Sequence, residues 1–418
     1  IGLNAAQELD ASPIFKPVTK YSILVKDSKD LIKEVKKACE IAISDVPGPV
    51  HIAIPLDIQN ATIEDWKFPE PIKKTIIPPD PTAIKKVAQK LLLEENGIIF
   101  VGQGVRYSAP QVIELAELLN WPIITTPVAK GIIPETHPLV TGVFGFAGHE
   151  KTSSIINNGN GNVLLVIGSS LGETATNNYN PNLTKNRYTI QIDFDKTVFN
   201  RKYSIDLPVL GDIQLSLDLL LDELKKSGRT RTIYKLEHSK LENFDETTVE
   251  YNTMNTLQVL QKYLPVSTRY AIDVGEFMSY VIHYMKALDF TSFDINVHFG
   301  AMGNGIATAI GSKLAEPERS TVCITGDGCF FMHGMEILTA KEYNLPILFV
   351  VINNARLGLV YHGHEMQFHR THPSFEQQPV KISAIASAMD IPSYRVSSMQ
   401  DLNNELMKQF KNLKGPVV

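Results

Sequence analysis

The fold of this chain is decided by one stretch, residues 321–354, which reads TVCITGDGCFFMHGMEILTAKEYNLPILFVVINN. The pattern predicts a strand ending at Gly326-Asp327-Gly328, then a helix, then an apolar strand ending at Asn353-Asn354. Carboxyl ends of neighbouring parallel strands meet at one edge of a sheet, which is where open α/β sheets bind ligands. The stretch therefore predicts an α/β fold with Asp327 and Asn354 close together in a ligand site.

The chemistry of these side chains suits a metal-bound diphosphate. A carboxylate and an amide oxygen are hard ligands of the kind that Mg²⁺ or Ca²⁺ prefers, with phosphate oxygens completing the shell. Gly326 and Gly328 would let the backbone approach a diphosphate, and the helix N-terminus that follows would face its charge. The alternative is a plain Gly-Asp-Gly turn with an exposed asparagine pair, but the spacing and the strand–helix–strand context favour the ligand site.

Composition narrows the class of protein. The 418 residues, 44% hydrophobic and 20% charged, predict two or three globular domains. The net charge of −5 gives no reason to expect a nucleic-acid or membrane-surface partner. The three cysteines, Cys39, Cys323 and Cys329, have no CxxC spacing, which argues against a zinc site or a disulfide framework.

Periodicity divides the chain into three α/β units. Residues 1–60 contain a predicted helix (31–44) and a predicted buried strand (50–54), and a proline-rich linker follows to residue 81. Residues 82–224 alternate between helices and strands, which favours a doubly wound parallel sheet. We predict helices at 83–93 and 109–118 and strands at 97–101, 122–126, 163–167 and 188–192. A polar linker (227–251) precedes the third unit, residues 254–418.

The motifs resemble those of the thiamine diphosphate-dependent enzymes, in particular the acetolactate synthase-like branch. The resemblance is carried by GDG and NN at this spacing, by Gly300-Ala301-Met302-Gly303, by Lys130-Gly131 with His137-Pro138, and by residues 15–20. It implies that the three units are the end of a pyrimidine-binding domain whose start is missing, a central Rossmann-like domain, and a diphosphate-binding domain whose end is missing. The glutamate that contacts N1′ of the cofactor in this family is then expected before Ile1.

The resemblance also implies roles for individual residues. Asp327, Asn354 and the backbone carbonyl of Arg356 fall on the Mg²⁺-ligand positions. Met302 falls on the apolar residue that supports the bent cofactor, and Gly300 falls where a carbonyl accepts from the 4′-amino group. The expected cofactor contacts are Gly326, Asp327, Gly328, Cys329, Gly275 and Leu359. The sequence departs from related synthases at Glu276-Phe277, where Gln-His is common, and near Gly363, where a tryptophan is expected.

Two further sets of residues are candidates for binding. Gly102-Gln103-Gly104, Gly168-Ser169-Ser170, Asp193 and Asp195 fall where the synthases contact FAD; the alternatives are another nucleotide or a vestigial domain. His149, His362 and His364 are candidate acid–base groups near the substrate, because histidine titrates near neutrality; a surface or structural role is the alternative.

The function implied is a carboligase that decarboxylates a 2-keto acid and joins the acyl unit to a second carbonyl. The alternatives are a simple 2-keto-acid decarboxylase and a catalytically silent nucleotide-binding or regulatory protein. The resemblance further implies a homodimer or homotetramer and a cytoplasmic enzyme, with a targeting peptide left open.

Overall fold

The computed structural model describes residues 4–63, 70–73, 76–234, 249–402 and 404–418. The strands of these residues form three sheets, and every strand pair within the sheets is parallel. This arrangement confirms the predicted α/β class. Within the described part of the chain, no helix combines the length and the apolar character needed to span a membrane.

The first sheet has two strands, β1 and β2, paired from Tyr21↔Val50 to Leu24↔Ala53. This region contains α1 (Ser12–Phe15), β1 (Tyr21–Leu24), α2 (Leu31–Ile43), β2 (Val50–Ala53) and α3 (Leu56–Gln59). The prediction of a buried strand at 50–54 was wrong about burial, since all four residues of β2 are only half-buried. Among the described residues β2 has one strand neighbour, β1, so much of its surface is left uncovered. Part of the predicted linker, residues 64–69 and 74–75, lies outside the described residues.

The second sheet has six strands in the order β5-β4-β3-β6-β7-β8. Its elements are α4 (Pro81–Leu93), β3 (Gly97–Val101), α5 (Ala109–Leu119), β4 (Ile123–Thr125), β5 (Val140–Val143), α6 (Glu150–Asn157), β6 (Val163–Ile167), β7 (Tyr188–Asp193), β8 (Leu207–Leu210) and α7 (Ile213–Lys225). One apolar cluster packs α4, α5 and α7 on one face, and another packs α6 on the other, as a doubly wound sheet requires. The sequence did not predict β5 and β8, which are the two edge strands.

The third sheet has four strands in the order β10-β9-β11-β12. Its elements are α8 (Thr253–Tyr263), β9 (Arg269–Ile272), α9 (Glu276–Tyr284), β10 (Phe293–Ile295), α10 (Asn304–Ala315), β11 (Thr321–Gly326), α11 (Asp327–His333), α12 (Ile337–Glu342), β12 (Ile347–Ile352), α13 (Gly358–Phe368), α14 (Ile382–Ala388) and α15 (Asn404–Lys411). The helices cover both faces: α8 and α9 contribute to one apolar cluster, and α10 and α14 contribute to the other. Residues 235–248 of the second predicted linker lie outside the described residues.

A loop of the second sheet docks on the third sheet through a buried ion pair. The Lys130 ammonium, with no exposed surface, donates to both carboxylate oxygens of Glu135 at 2.9 and 3.0 Å. Glu135 also accepts from the Ala287 amide at 2.8 Å, and its own amide donates to the Ala287 carbonyl at 2.7 Å. The Lys130-Gly131 motif therefore holds two α/β units together, and it does so with residues that are distant in sequence.

Candidate active site

The Gly326-Asp327-Gly328 turn and the Asn353-Asn354 pair lie side by side. Strands β11 and β12 are neighbours, and Gly326 is in register with Ile352, so the chain leaves both strands at the same edge. Asp327 is 4% exposed; its Oδ1 accepts from the Gly328 amide at 2.8 Å and its Oδ2 from the Ala355 amide at 2.7 Å. The Asp327 carboxylate therefore ties the two loops together.

Burial and hydrogen bonding act in opposite directions on the Asp327 carboxyl. Burial raises the pKa of the Asp327 carboxyl, although the amide groups that it accepts from favour the ionised form. A cation beside the carboxylate would reverse the effect of burial, because it would stabilise the charged form.

The Asn354 carboxamide is held in one orientation by two hydrogen bonds. Its Nδ2 donates to Glu276 Oε2 at 3.3 Å, and its Oδ1 accepts from the Arg356 amide at 3.3 Å. The Arg356 guanidinium lies over the Tyr361 ring, 4.5 Å from the centroid. Asn353 points elsewhere and donates to the Val380 carbonyl at 2.8 Å.

The packing around Gly326 and Gly328 leaves little room for a side chain at either position, which the sequence did not indicate. A Cβ on Gly326 would lie 2.9 Å from the Phe277 ring, and one on Gly328 would lie 2.9 Å from Met302 Cε and 3.1 Å from Leu357 Cδ2. The Phe277 ring therefore disfavours any larger residue at position 326, whereas the contacts at Gly328 are the ends of flexible side chains, which could move. The same packing brings Met302 to the turn, where it is half-buried.

Residues 299–303 form a turn that carries Gly300 and Met302. Phe299, Gly300 and Gly303 have φ angles of 62°, 65° and 93°, in the left-handed region. Glycine adopts this region without steric cost, whereas the side chain of Phe299 makes the same backbone conformation unfavourable. A Cβ on Gly300 would meet no described atom within 4 Å, so the turn faces open space.

Asp273 organises the site, and the sequence analysis gave it no role. It is fully buried at the end of β9; Oδ1 accepts from the Gly303 amide and Oδ2 from the Thr325 hydroxyl, both at 2.8 Å. One carboxylate thus joins the Met302 turn to the strand that ends at Gly326. A signal was available, because an aspartate that directly follows an apolar strand in an α/β unit lies at the ligand-binding edge.

Cys329 is a packing residue in this structure. Its thiol donates to the Val274 carbonyl at 3.0 Å, and burial raises its pKa to about 11. A thiol with a raised pKa is a poor nucleophile, since the thiolate is the reactive form. Gly275, which follows Val274, is the N-cap of α9 next to this turn, and Leu359 lies partly exposed in the first turn of α13.

The donor set limits how a metal ion could bind. Within the described residues, no group of three or more His, Cys, Asp or Glu could hold a metal ion. The two adjacent loops offer instead the Asp327 carboxylate and the Asn354 amide oxygen. Such a set suits a hard cation whose remaining ligands come from phosphate or water.

Comparison with known proteins places the chain in a family. Residues 273–418 match the model of the thiamine pyrophosphate enzyme C-terminal TPP-binding domain, and residues 84–220 match that of the thiamine pyrophosphate enzyme central domain. Together the two matches span more than half of the chain. The chain belongs to the thiamine pyrophosphate enzyme family. The resemblance inferred from the sequence is thereby confirmed. Thiamine diphosphate is the cofactor of this enzyme.

The relatives of this thiamine pyrophosphate enzyme are named as acetolactate synthases. The probable acetolactate synthase large subunit of Methanococcus aeolicus is 29% identical, and the match covers 100% of this chain and 74% of the relative. That of Methanocaldococcus jannaschii is 31% identical over 88% of this chain and 65% of the relative. Acetolactate synthase isozyme 3 large subunit of Escherichia coli is 29% identical over 99% of this chain and 75% of the relative.

The same fold occurs in a solved enzyme structure. The crystal structure of benzoylformate decarboxylase from Polynucleobacter necessarius superposes with a TM-score of 0.82 at 20% identity, covering 98% of this chain and 76% of that one. This likeness supports the three-sheet architecture.

The candidate histidines of the enzyme fall into two groups. His362 Nε2 lies 3.1 Å from Glu276 Oε1, beside Asn354, whereas His364 Nδ1 donates to the Arg370 carbonyl at 2.6 Å. His149 lies between the second and third sheets: its Nδ1 accepts from the Val143 amide at 2.9 Å, and its Nε2 donates to the His283 carbonyl at 2.9 Å. Both ring nitrogens of His149 therefore make hydrogen bonds within the protein, and neither is left to contact a substrate.

The candidate FAD residues of the central sheet pack closely against one another. A Cβ on Gly102 would collide with the Gly168 carbonyl, so the two glycine turns pack against each other. Leu171 follows the second turn at φ 52° and is buried. Burial raises the pKa of the Asp193 carboxyl to about 6, and Asp195 donates its amide to Asp193 at 2.9 Å. These glycines thus serve the packing of the sheet.

Proposed function

We propose that this enzyme decarboxylates a pyruvate-like 2-keto acid and joins the acyl unit to a second carbonyl, as an acetolactate synthase-like carboligase. The observation that carries the proposal is the joint placement of Asp327 and Asn354 at one sheet edge, in a chain whose relatives are named acetolactate synthases. A simple 2-keto-acid decarboxylase and a catalytically silent nucleotide-binding protein are the outcomes against which the proposal is tested.

The proposed metal is Mg²⁺, held by the Asp327 carboxylate, the Asn354 amide oxygen and the Arg356 backbone carbonyl. The residues fit, because all three are hard oxygen donors on two adjacent loops. The proposed cofactor contacts are Gly326, Asp327, Gly328, Cys329, Gly275 and Leu359, which surround the same sheet edge. No step of the proposal uses FAD, since the glycine turns of the central sheet are closed against each other.

When bound, thiamine diphosphate supplies the carbon nucleophile and accepts the electron pair that decarboxylation leaves behind. The chain's own residues bind the cofactor and the keto acid and orient them. Met302 offers an apolar support beside the turn, and the Gly300 carbonyl is proposed to accept from the cofactor's amino group. His362 and His364 are proposed to line the entrance for the keto acid.

The proposed assembly is a homodimer or homotetramer of three-domain subunits, with domains at 1–60, 82–224 and 254–418. Support comes from the apolar surface around the site. Phe299 is fully exposed, and Phe331, Met332, Met335 and Val360 are about half-exposed. Phe299 precedes Gly300, and Phe331 and Met332 lie on the helix that begins at Asp327. Exposed apolar patches mark interaction sites in soluble proteins.

We expect the full-length protein, given pyruvate as the only substrate with thiamine diphosphate and Mg²⁺, to form an acetolactate-type adduct. Carboligation consumes two keto acids for each carbon dioxide released, whereas decarboxylation consumes one and releases free aldehyde. Product analysis by NMR together with carbon dioxide release measures both, and the assay extends to a panel of 2-keto acids. Free aldehyde as the sole product would reject the carboligase, and no turnover of any keto acid would favour the silent protein.

We expect Met302→Ala to lower kcat by about tenfold, or about 1.4 kcal/mol, with little change in cofactor affinity. The reason is that binding rests on the diphosphate end, while Met302 supports the reactive end. Steady-state kinetics and cofactor titration separate the two quantities. The matched control is Met366→Ala, because Met366 is 81% exposed on α13. A kcat within about twofold of the original would show that Met302 has no such role.

A further inference from the structure

Glu276 occupies a position that the proposed function leaves without a role. It is the first residue of α9, and its carboxylate lies between two groups of the site. Oε2 accepts from Asn354 Nδ2 at 3.3 Å, and Oε1 lies 3.1 Å from His362 Nε2. The side chain is 23% exposed. This residue also departs from the related synthases, which often carry glutamine here.

The neighbourhood of the Glu276 carboxylate is shaped around it. A Cβ on Gly358, the buried first residue of α13, would collide with Glu276 Oε2 and would lie 3.0 Å from Glu276 Cβ. Gly358 therefore leaves the room that the carboxylate fills. The N-terminus of α9 further stabilises a negative charge at its first residue.

The chemistry of a carboxylate makes this contact directional. A carboxamide has one acceptor end and one donor end, and only the oxygen can ligate Mg²⁺. An ionised carboxylate accepts hydrogen bonds and donates none, so it can face only the Nδ2 end of Asn354. Asn354 Oδ1 is then directed away from Glu276 and toward the backbone of Arg356, where it accepts from the Arg356 amide at 3.3 Å.

We propose that Glu276 is a positioning residue that holds the Asn354 amide oxygen toward the metal, with His362 holding Glu276 in place. The inference rests on the proposed Mg²⁺ site at Asp327 and Asn354. Partners that orient metal ligands in this way contribute about 10–100-fold to metal affinity in other proteins.

A purely electrostatic account predicts the opposite sign. Glu276 adds a negative charge near Asp327 and near the expected diphosphate. If charge were its only contribution, removing it would tighten the binding of the anionic cofactor, since like charges repel. The two accounts are therefore distinguished by the direction of a single change in affinity.

The test is a calorimetric Mg²⁺ titration of the full-length protein at saturating thiamine diphosphate. We expect Glu276→Gln to weaken Mg²⁺ binding about tenfold. Glutamine can donate as well as accept, so it no longer excludes the reversed Asn354 amide. The matched control is Glu365→Gln, which removes a carboxylate 3.6 Å from His362 Nδ1 on the other side of that ring. We expect it to leave Mg²⁺ affinity unchanged.

Two further variants separate positioning from a loss of structure. Gly358→Ala would displace the Glu276 carboxylate, and we expect it to weaken Mg²⁺ binding as Glu276→Gln does, with an unchanged midpoint of thermal unfolding. In an Asn354→Asp background either oxygen can ligate, so orientation no longer matters. There we expect Glu276→Gln to leave Mg²⁺ affinity unchanged or to tighten it.

The outcomes are distinct. Unchanged or tighter Mg²⁺ binding by Glu276→Gln in the original background would overturn the positioning role. Equal weakening by Glu365→Gln would overturn it too, because the effect would then come from His362 and α13. An original protein that binds no Mg²⁺ with thiamine diphosphate would reject the proposed site itself, and that result needs no variant.

Discussion

Asp327→Ala is expected to abolish binding of Mg²⁺ and thiamine diphosphate, and with it all turnover of keto acid. The substitution removes the one charged ligand of the proposed metal. It also leaves the Gly328 and Ala355 amides, which donate to Asp327 at 2.8 and 2.7 Å, without their acceptor. Loss of a buried acceptor costs about 1–3 kcal/mol for each group left unpaired. Calorimetric titration with Mg²⁺ and thiamine diphosphate measures the affinity.

Asp327→Asn removes the charge and one of the two hydrogen bonds. Its amide oxygen can accept from one backbone amide while its NH2 group faces the other, so we expect the turn to be less destabilised than in Asp327→Ala, and the metal loses its anionic ligand. Asp390→Ala is the control, because that aspartate side chain is 91% exposed. If Asp327→Ala bound the cofactor with unchanged affinity, the assignment of the metal site would fail.

Glu135→Leu is expected to destabilise the protein by about 3–5 kcal/mol, because it leaves the Lys130 ammonium buried without a partner. Lys130 has no exposed surface, and Glu135 supplies both of its short ionic contacts. The double variant Lys130→Met/Glu135→Leu should recover much of the loss, since replacing a buried ion pair by apolar groups is often nearly neutral. The double variant still loses the hydrogen bond that the Ala287 amide donates to Glu135.

Midpoints of urea-induced unfolding of the original protein and of these two variants measure this coupling. The control is the surface pair Lys36–Glu40, whose atoms are 3.9 Å apart and whose side chains are about half-exposed. Removing Glu40 should change stability by at most about 0.5 kcal/mol. A double variant that is as unstable as Glu135→Leu would show that apolar side chains cannot replace the ion pair of Lys130 and Glu135.

Much of the fold could be predicted from periodicity. Strands β3, β6, β7 and β12 are buried apolar runs bounded by turn residues, and their predicted positions lie within a residue of the observed ones. The strands that were missed are β1, β5, β8, β9 and β10. In the central sheet these are the two edges, β5 and β8, and their sequences are VTGV and LPVL. A proline is tolerated in an edge strand because one side of that strand makes no ladder hydrogen bonds. Edge strands therefore carry a weaker sequence pattern.

The candidate site divides in the same way. Its proposed metal ligands could be located from spacing, whereas the partners that hold them could not. Asp273, to which the sequence analysis gave no role, accepts hydrogen bonds from residues 30 and 52 positions away. Glu276 was noticed as a departure from related synthases, but its contact with Asn354 spans 78 positions. No local period relates residues at such separations.

The sequence by itself determined that Asp327 and Asn354 lie at one edge of a parallel sheet. A strand, a helix crossover and a parallel strand can be joined in essentially one hand, so the spacing between GDG and NN has one geometric meaning. Only the tertiary structure decided which way the Asn354 amide faces, why Gly328 lies against Met302, and how Lys130 and Glu135 clamp two sheets together through Ala287, 152 positions from Glu135. These contacts arise where separately formed units pack, and there the surfaces that meet depend on the whole fold and on no single segment.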